Sequence, residues 1–149
     1  MILVLLLLHA FCAMFLVGAI THQVLAVWWP ITETTTGWWR SLRAVHPERY
    51  TKAVVALYCI TVVPGALDYV PFRLVARAQY LDLYVKWATG LFELKEHATG
   101  IGLAVLPAYV AAWREPGATG ARRAFTTFVT IVIWWNLIVG HVVNNVRGM

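Results

Sequence analysis

The sequence predicts an all-α polytopic membrane protein: four transmembrane helices in an up-down bundle, with an amphipathic helix lying at the membrane interface. Three observations carry this prediction. Of 149 residues, 60% are hydrophobic and 13% charged, a balance foreign to a soluble domain of this size. The apolar residues fall into stretches of about 20 or more, the length a helix needs to cross about 30 Å of hydrocarbon. Basic residues and paired tryptophans gather at the ends of these stretches, where they anchor helices in lipid headgroups. One transmembrane domain over 1-149 is expected, since four crossings leave no length for a separate extramembrane unit.

The first span covers about 2-28. It lacks a basic leader or a small-residue cleavage site, and it carries His9 and His22, so it reads as a retained span and not a signal peptide. Trp28 and Trp29 suit an aromatic belt, and Pro30 ends the helix. Residues 31 to 37 are rich in threonine and end in glycine, which predicts a loop; a short surface helix follows from Trp38 through Val45. His46-Pro47-Glu48 has the form of a helix start, with proline in the first turn and a carboxylate near the positive end of the dipole.

The second span covers about 51-70, with Pro64-Gly65 expected to kink or unwind it just before Asp68. Residues 72-88 place charges at 73, 77, 82 and 86 among apolar residues, the pattern of the interfacial helix. The third span, about 91-113, opens with Glu93, Lys95, Glu96 and His97 and has Pro107 in its middle. A turn-rich connection leads to the fourth span, about 124-146, which makes the last two spans an antiparallel hairpin.

Cys12 and Cys59 fall inside spans and read as small apolar groups, not as a disulfide or redox pair. The net charge of +5 resides at span ends, so nucleic acid is not an expected partner. Seven basic residues (Arg40, Arg43, Arg49, Lys52, Arg114, Arg122, Arg123) lie on one side and five (Arg73, Arg77, Lys86, Lys95, Arg147) on the other. That imbalance places both termini outside the cytoplasm, in a prokaryotic cytoplasmic membrane.

Up-down order brings His9, Asp68, Glu93, Glu96, His97 and His141 toward the face that holds the termini. His9, His97 and His141 each fall roughly 8 to 10 Å inside that face at 1.5 Å per residue. Ionisable groups are costly in lipid and mark ligand, ion or proton sites. His22 lies thirteen residues after His9 on nearly the opposite helix face, which excludes a clean two-haem arrangement. Asn136, Gly140 and Asn144 recur every fourth residue and read as a helix-packing stripe. Trp134-Trp135 lies mid-span, where a belt role does not explain it.

Three functions compete. The first is a small redox protein within electron transfer, an oxidoreductase component binding haem b through His97 and either His141 or His9, with Arg73 or Lys95 neutralising propionates. The second is a nonhaem metal-dependent enzyme or metal-handling protein, with iron, copper or zinc held by His9, Asp68, Glu93, Glu96, His97 and His141. Glu93-x-x-Glu96-His97 is not the Glu-x-x-His repeat of di-iron bundles. The third is a structural or accessory subunit of a larger membrane complex. Expected partners are the lipid bilayer, other membrane subunits or a second copy, and a quinone or another electron carrier. No nucleophile motif or phosphate loop argues for hydrolase or kinase chemistry. The redox reading is preferred, because the acid-histidine cluster alone demands a chemical explanation.

Overall fold

A computed structural model describes residues 2–32, 36–42 and 46–146 and is helical almost throughout. The elements are α1 (Ile2–Trp28), α2 (Trp38–Leu42), α3 (Pro47–Pro71), a π-helical segment (Phe72–Leu81), α4 (Asp82–Tyr84), α5 (Lys86–Arg114) and α6 (Thr119–Val146). Arg43 and Val45 of the predicted surface helix and Arg147 of the charge tally lie outside the described residues. Gly37, at φ 70°, turns the chain into α2, a conformation glycine adopts without steric cost.

Long helices lie antiparallel to their neighbours. Gln23 near the end of α1 bonds to Thr51 and Pro47 at the start of α3, while His9 near the start of α1 bonds to Thr61 toward the end of α3. Trp113 of α5 donates to Thr126 of α6, and Thr99 to Asn136. Around the bundle the order is α3, α1, α6, α5, and α5 meets α3 only sparsely.

Three helical stretches, Leu3–Trp28, Pro47–Tyr84 and Thr119–Val146, are long and apolar enough to cross a membrane. α5 is the fourth long helix, with 29 residues, and is not among these three. The outer surface is apolar: Leu7, Phe11, Phe15, Val63, Leu67, Ile101, Ile131 and Ile138 are all exposed. In water that mantle would be an extreme apolar patch, whereas lipid tails solvate it without penalty.

The separate interfacial helix over 72-88 is not found. Residues 72 to 84 prolong α3 without a break, first as ten residues of π-helix and then as one turn of α4. The charge pattern misleads because it assumes 3.6 residues per turn. Bonding from i to i+5 widens the turn, so residues four to five apart share a face. Phe72, Ala76 and Leu81, spaced by four and five, all face inward on one cavity; at α-helical spacing Leu81 would oppose Phe72.

The unwinding expected at Pro64-Gly65 is also absent, since α3 stays helical through both residues. Proline lacks the donor that would reach Ile60 O, and the next carbonyl along, Thr61 O, accepts from His9 Nδ1 at 2.9 Å. Gly65 makes this contact possible, because a Cβ there would stand 3.0 Å from the His9 ring. α5 likewise passes Pro107 unbroken.

Two layers divide the bundle interior. Ile20, Val54, Leu106 and Val129 are 0 to 5% exposed and belong to one apolar cluster. On the α2 side of that layer, fully buried Gln23 donates to Pro47 O at 3.2 Å and Thr51 Oγ1 at 3.0 Å and accepts from the Tyr109 hydroxyl. On the other side lies the cavity.

Candidate functional site

The cavity has a volume of about 500 Å³ and occupies the end of the bundle that holds the start of α1 and the end of α6. Every long helix contributes: Leu6, His9 and Ala13 from α1; Tyr58, Thr61, Gly65, Asp68 and Tyr69 from α3; Phe92, Lys95, Glu96 and Thr99 from α5; Ile133, Asn136, Gly140, His141 and Asn144 from α6. The π segment supplies Phe72, Ala76 and Leu81. Such a volume and such a mix of apolar wall with few polar groups are usual for sites of small organic ligands.

His9 is the best-held polar group. A carbonyl can only accept, so its bond to Thr61 O fixes the proton on Nδ1 and leaves Nε2 as the basic nitrogen. Among the described residues Nε2 has no hydrogen-bond partner. Asp68 and Lys95 both lie close enough to His9 to act electrostatically on it. Asp68 Oδ1 is buried and has no hydrogen-bond partner among the described residues. Lys95 Nζ stands 5.2 Å from the Phe92 ring centroid and has no carboxylate within ion-pair distance among the described residues. The Lys95 stem passes beside Gly140, where a Cβ would lie in ordinary contact at 3.5 Å from Lys95 Cε.

One wall is aromatic. Phe92 stacks on Phe72 at 4.3 Å between centroids and on Tyr69 at 6.0 Å, with the Tyr69 and Phe92 rings nearly parallel at 2°. The neighbouring wall is pinned by Tyr58, whose hydroxyl donates to Thr99 O at 2.9 Å, and by Thr99, whose hydroxyl reaches Asn136 Oδ1 at 3.2 Å.

Five of the sequence-derived candidates, His9, Asp68, Lys95, Glu96 and His141, therefore share this cavity. Three do not. His97 is exposed, with Nδ1 donating to Glu93 O at 2.7 Å, so it does not join His141 across the bundle. Glu93 is exposed and ion-paired with Arg77, which also reaches Asp82 at 3.5 Å and so ties the π segment to α5. Arg73 is exposed on the π segment. His141 sits at the mouth, where Asn145 Nδ2 approaches its Nε2 at 3.1 Å. Among the described residues, no group of three His, Cys, Asp or Glu side chains is placed to hold a metal ion.

No protein-family model, curated protein or solved structure matches the chain.

Several cavity residues are uncharged at neutral pH and escape a search for ligands by residue type: Thr61, Thr99, Tyr58 and the aromatic wall. The stripe Asn136, Gly140, Asn144, expected to pack helices, lines the cavity along its whole length. Its spacing with His141 was the available signal. Trp134, which the belt left unexplained, donates from Nε1 to Thr21 Oγ1 at 2.9 Å and fastens α6 to α1.

Proposed function

We propose that this is a small integral membrane redox protein that holds a flat, redox-active organic ligand in the cavity at the terminal end of its bundle. The observation that carries this reading is the convergence of His9, Asp68 and Lys95 with a stacked aromatic wall inside helices that are otherwise apolar. Ionisable groups at this depth are retained for ligand or proton chemistry, because simple packing is served better by apolar side chains. His9 is oriented by Thr61, as a ligating or hydrogen-bonding imidazole needs to be. In this reading α5 is a fourth span, its 29 residues crossing beside α6, and both termini lie outside the cytoplasm.

An aromatic, partly apolar enclosure favours an organic ring over a bare metal ion, and haem b and quinones are membrane redox groups of that shape. Haem would take His9 as an axial ligand and Lys95 as a propionate partner, in place of the His97 and His141 pairing expected from the hairpin.

The test is an oxidised and reduced visible spectrum of detergent-purified protein, with metal analysis and organic extraction of the same sample. A stoichiometric haem or quinone, lost on His9→Ala and kept on His97→Ala, is the expected result. A sample with neither group, co-purifying with other membrane chains and unchanged by His9→Ala, would overturn the reading in favour of an accessory subunit.

A further inference from the structure

The polar groups of the cavity are not matched to one another, and the mismatch describes what fits between them. Two acceptors stand unused on the α1 and α3 side: Asp68 Oδ1, buried and without a partner among the described residues, and the basic Nε2 of His9. Leaving a carboxylate oxygen buried and unbonded is unfavourable, and such groups in native proteins almost always meet a partner. On the α5 side stands a cation, Lys95, held over the Phe92 ring with no carboxylate in ion-pair reach among the described residues. A complementary ligand donates hydrogen bonds toward Asp68 and His9 and offers an oxygen to Lys95.

Its body must also be flat and apolar. Tyr69, Phe92 and Phe72 form the stacked face against which it lies. Leu6, Ala13 and Ile133 provide apolar surface beside it. A haem meets the aromatic wall, but its only polar groups are anionic propionates, which offer nothing to Asp68. A hydroxylated aromatic ring bearing an alkyl tail meets every feature together.

We infer that the cavity binds the reduced form of a lipid quinone, a quinol, with one ring hydroxyl donating its single proton to Asp68 and the other donating to His9 Nε2 while its oxygen accepts from Lys95. This rests on the redox-ligand reading of the cavity and names the ligand class within it. Lys95 then prefers the oxidised carbonyl, and Asp68 the hydroxyl, so the two residues weight the two oxidation states in opposite directions.

The experiment uses the full chain in detergent, stripped of bound lipid, with a decyl-substituted benzoquinol, the matching quinone, and the dimethyl ether of the quinol as probes in equilibrium dialysis. The ether keeps the ring and tail and loses both donors. The wild type is expected to bind the quinol about ten- to a hundredfold tighter than the ether, the range of a hydrogen bond to a charged acceptor. Asp68→Ala should erase that preference, while Asp68→Asn, which keeps an acceptor of the same shape, retains part of it and controls for misfolding. Lys95→Met should weaken the quinone about tenfold and the quinol less. Equal binding of quinol and ether, unaffected at Asp68, would overturn the inference and leave the cavity reading intact. A haem spectrum dependent on His9, with no binding of any probe, would do the same. No haem, no extracted quinone and no probe binding would remove both.

Discussion

Of the described glycines, Gly102 has the least room for a side chain, and Gly102→Ala is the sharpest test of the packing beside the cavity. A Cβ at this position would overlap the Tyr58 hydroxyl and stand 2.9 Å from Val132 Cγ1 and 3.0 Å from Tyr58 Cζ. Tyr58 cannot yield freely, because it is 3% exposed and its hydroxyl holds Thr99 O at 2.9 Å. Overpacking of this kind costs about 1–3 kcal/mol, and loss of the hydrogen bond about 1 kcal/mol more. The better helix propensity of alanine returns about 1 kcal/mol. The net loss is about 1–3 kcal/mol, or a midpoint lower by about 2–10 °C for a chain of this size. Thermal unfolding in detergent, followed by loss of the monodisperse peak, reads this directly. Tyr58→Phe removes the clashing oxygen, so the double variant should be more stable than the sum of the single losses by about 1–2 kcal/mol. Strict additivity, or a Gly102→Ala protein as stable as the wild type, would refute the close approach of α5 to Tyr58.

Three further outcomes are expected. Gln23→Leu strands the buried Tyr109 hydroxyl and the Thr51 side chain that Gln23 now bonds, and should lower stability by about 2–4 kcal/mol in the same assay. Gly65→Ala forces the His9 ring to move by tenths of an ångström from its place at 3.0 Å and should weaken ligand retention with a loss of stability below about 1.5 kcal/mol, measured on one sample by extraction and unfolding. In a background lacking Cys12 and Cys59, single cysteines at Thr36 and Gly117 should react with an impermeant maleimide from one side of the membrane and those at Lys86 and Asn145 from the other; labelling of 86 and 117 from the same side would refute a fourth crossing by α5.

The spans were legible because apolar length is written directly into the chain: expected and observed bounds of the first span coincide at 2 and 28, and those of the last both end at 146. Depth was legible too, since counting residues from span ends brings His9, Asp68, Glu96 and His141 to the end where the cavity lies. Direction around the helix axis was not. His97 and Glu96 are adjacent, so they diverge by about 100°, and only packing against α6 decides which of them turns inward. The π segment defeated periodicity outright, because its wider turn is set by tertiary packing against α5 and α6 and leaves no mark that a 3.6-residue template can read. Arg77, one of the charges that suggest an interfacial helix, instead pairs with Glu93 across that same turn.

The apolar layer of Ile20, Val54, Leu106 and Val129 has a consequence for sidedness. Four side chains that neither donate nor accept stand between Gln23 and the cavity, and the two hydroxyls of the same cluster, those of Tyr58 and Tyr109, donate to Thr99 O and to Gln23 and not, among the described residues, to each other. In the proposed function, protons released by the bound ring would leave through the mouth at His141 and Asn144, toward one compartment. Turnover at this site would acidify or alkalinise that compartment alone and would by itself carry no proton across the bilayer; any contribution to a transmembrane gradient would have to come from where the electrons go.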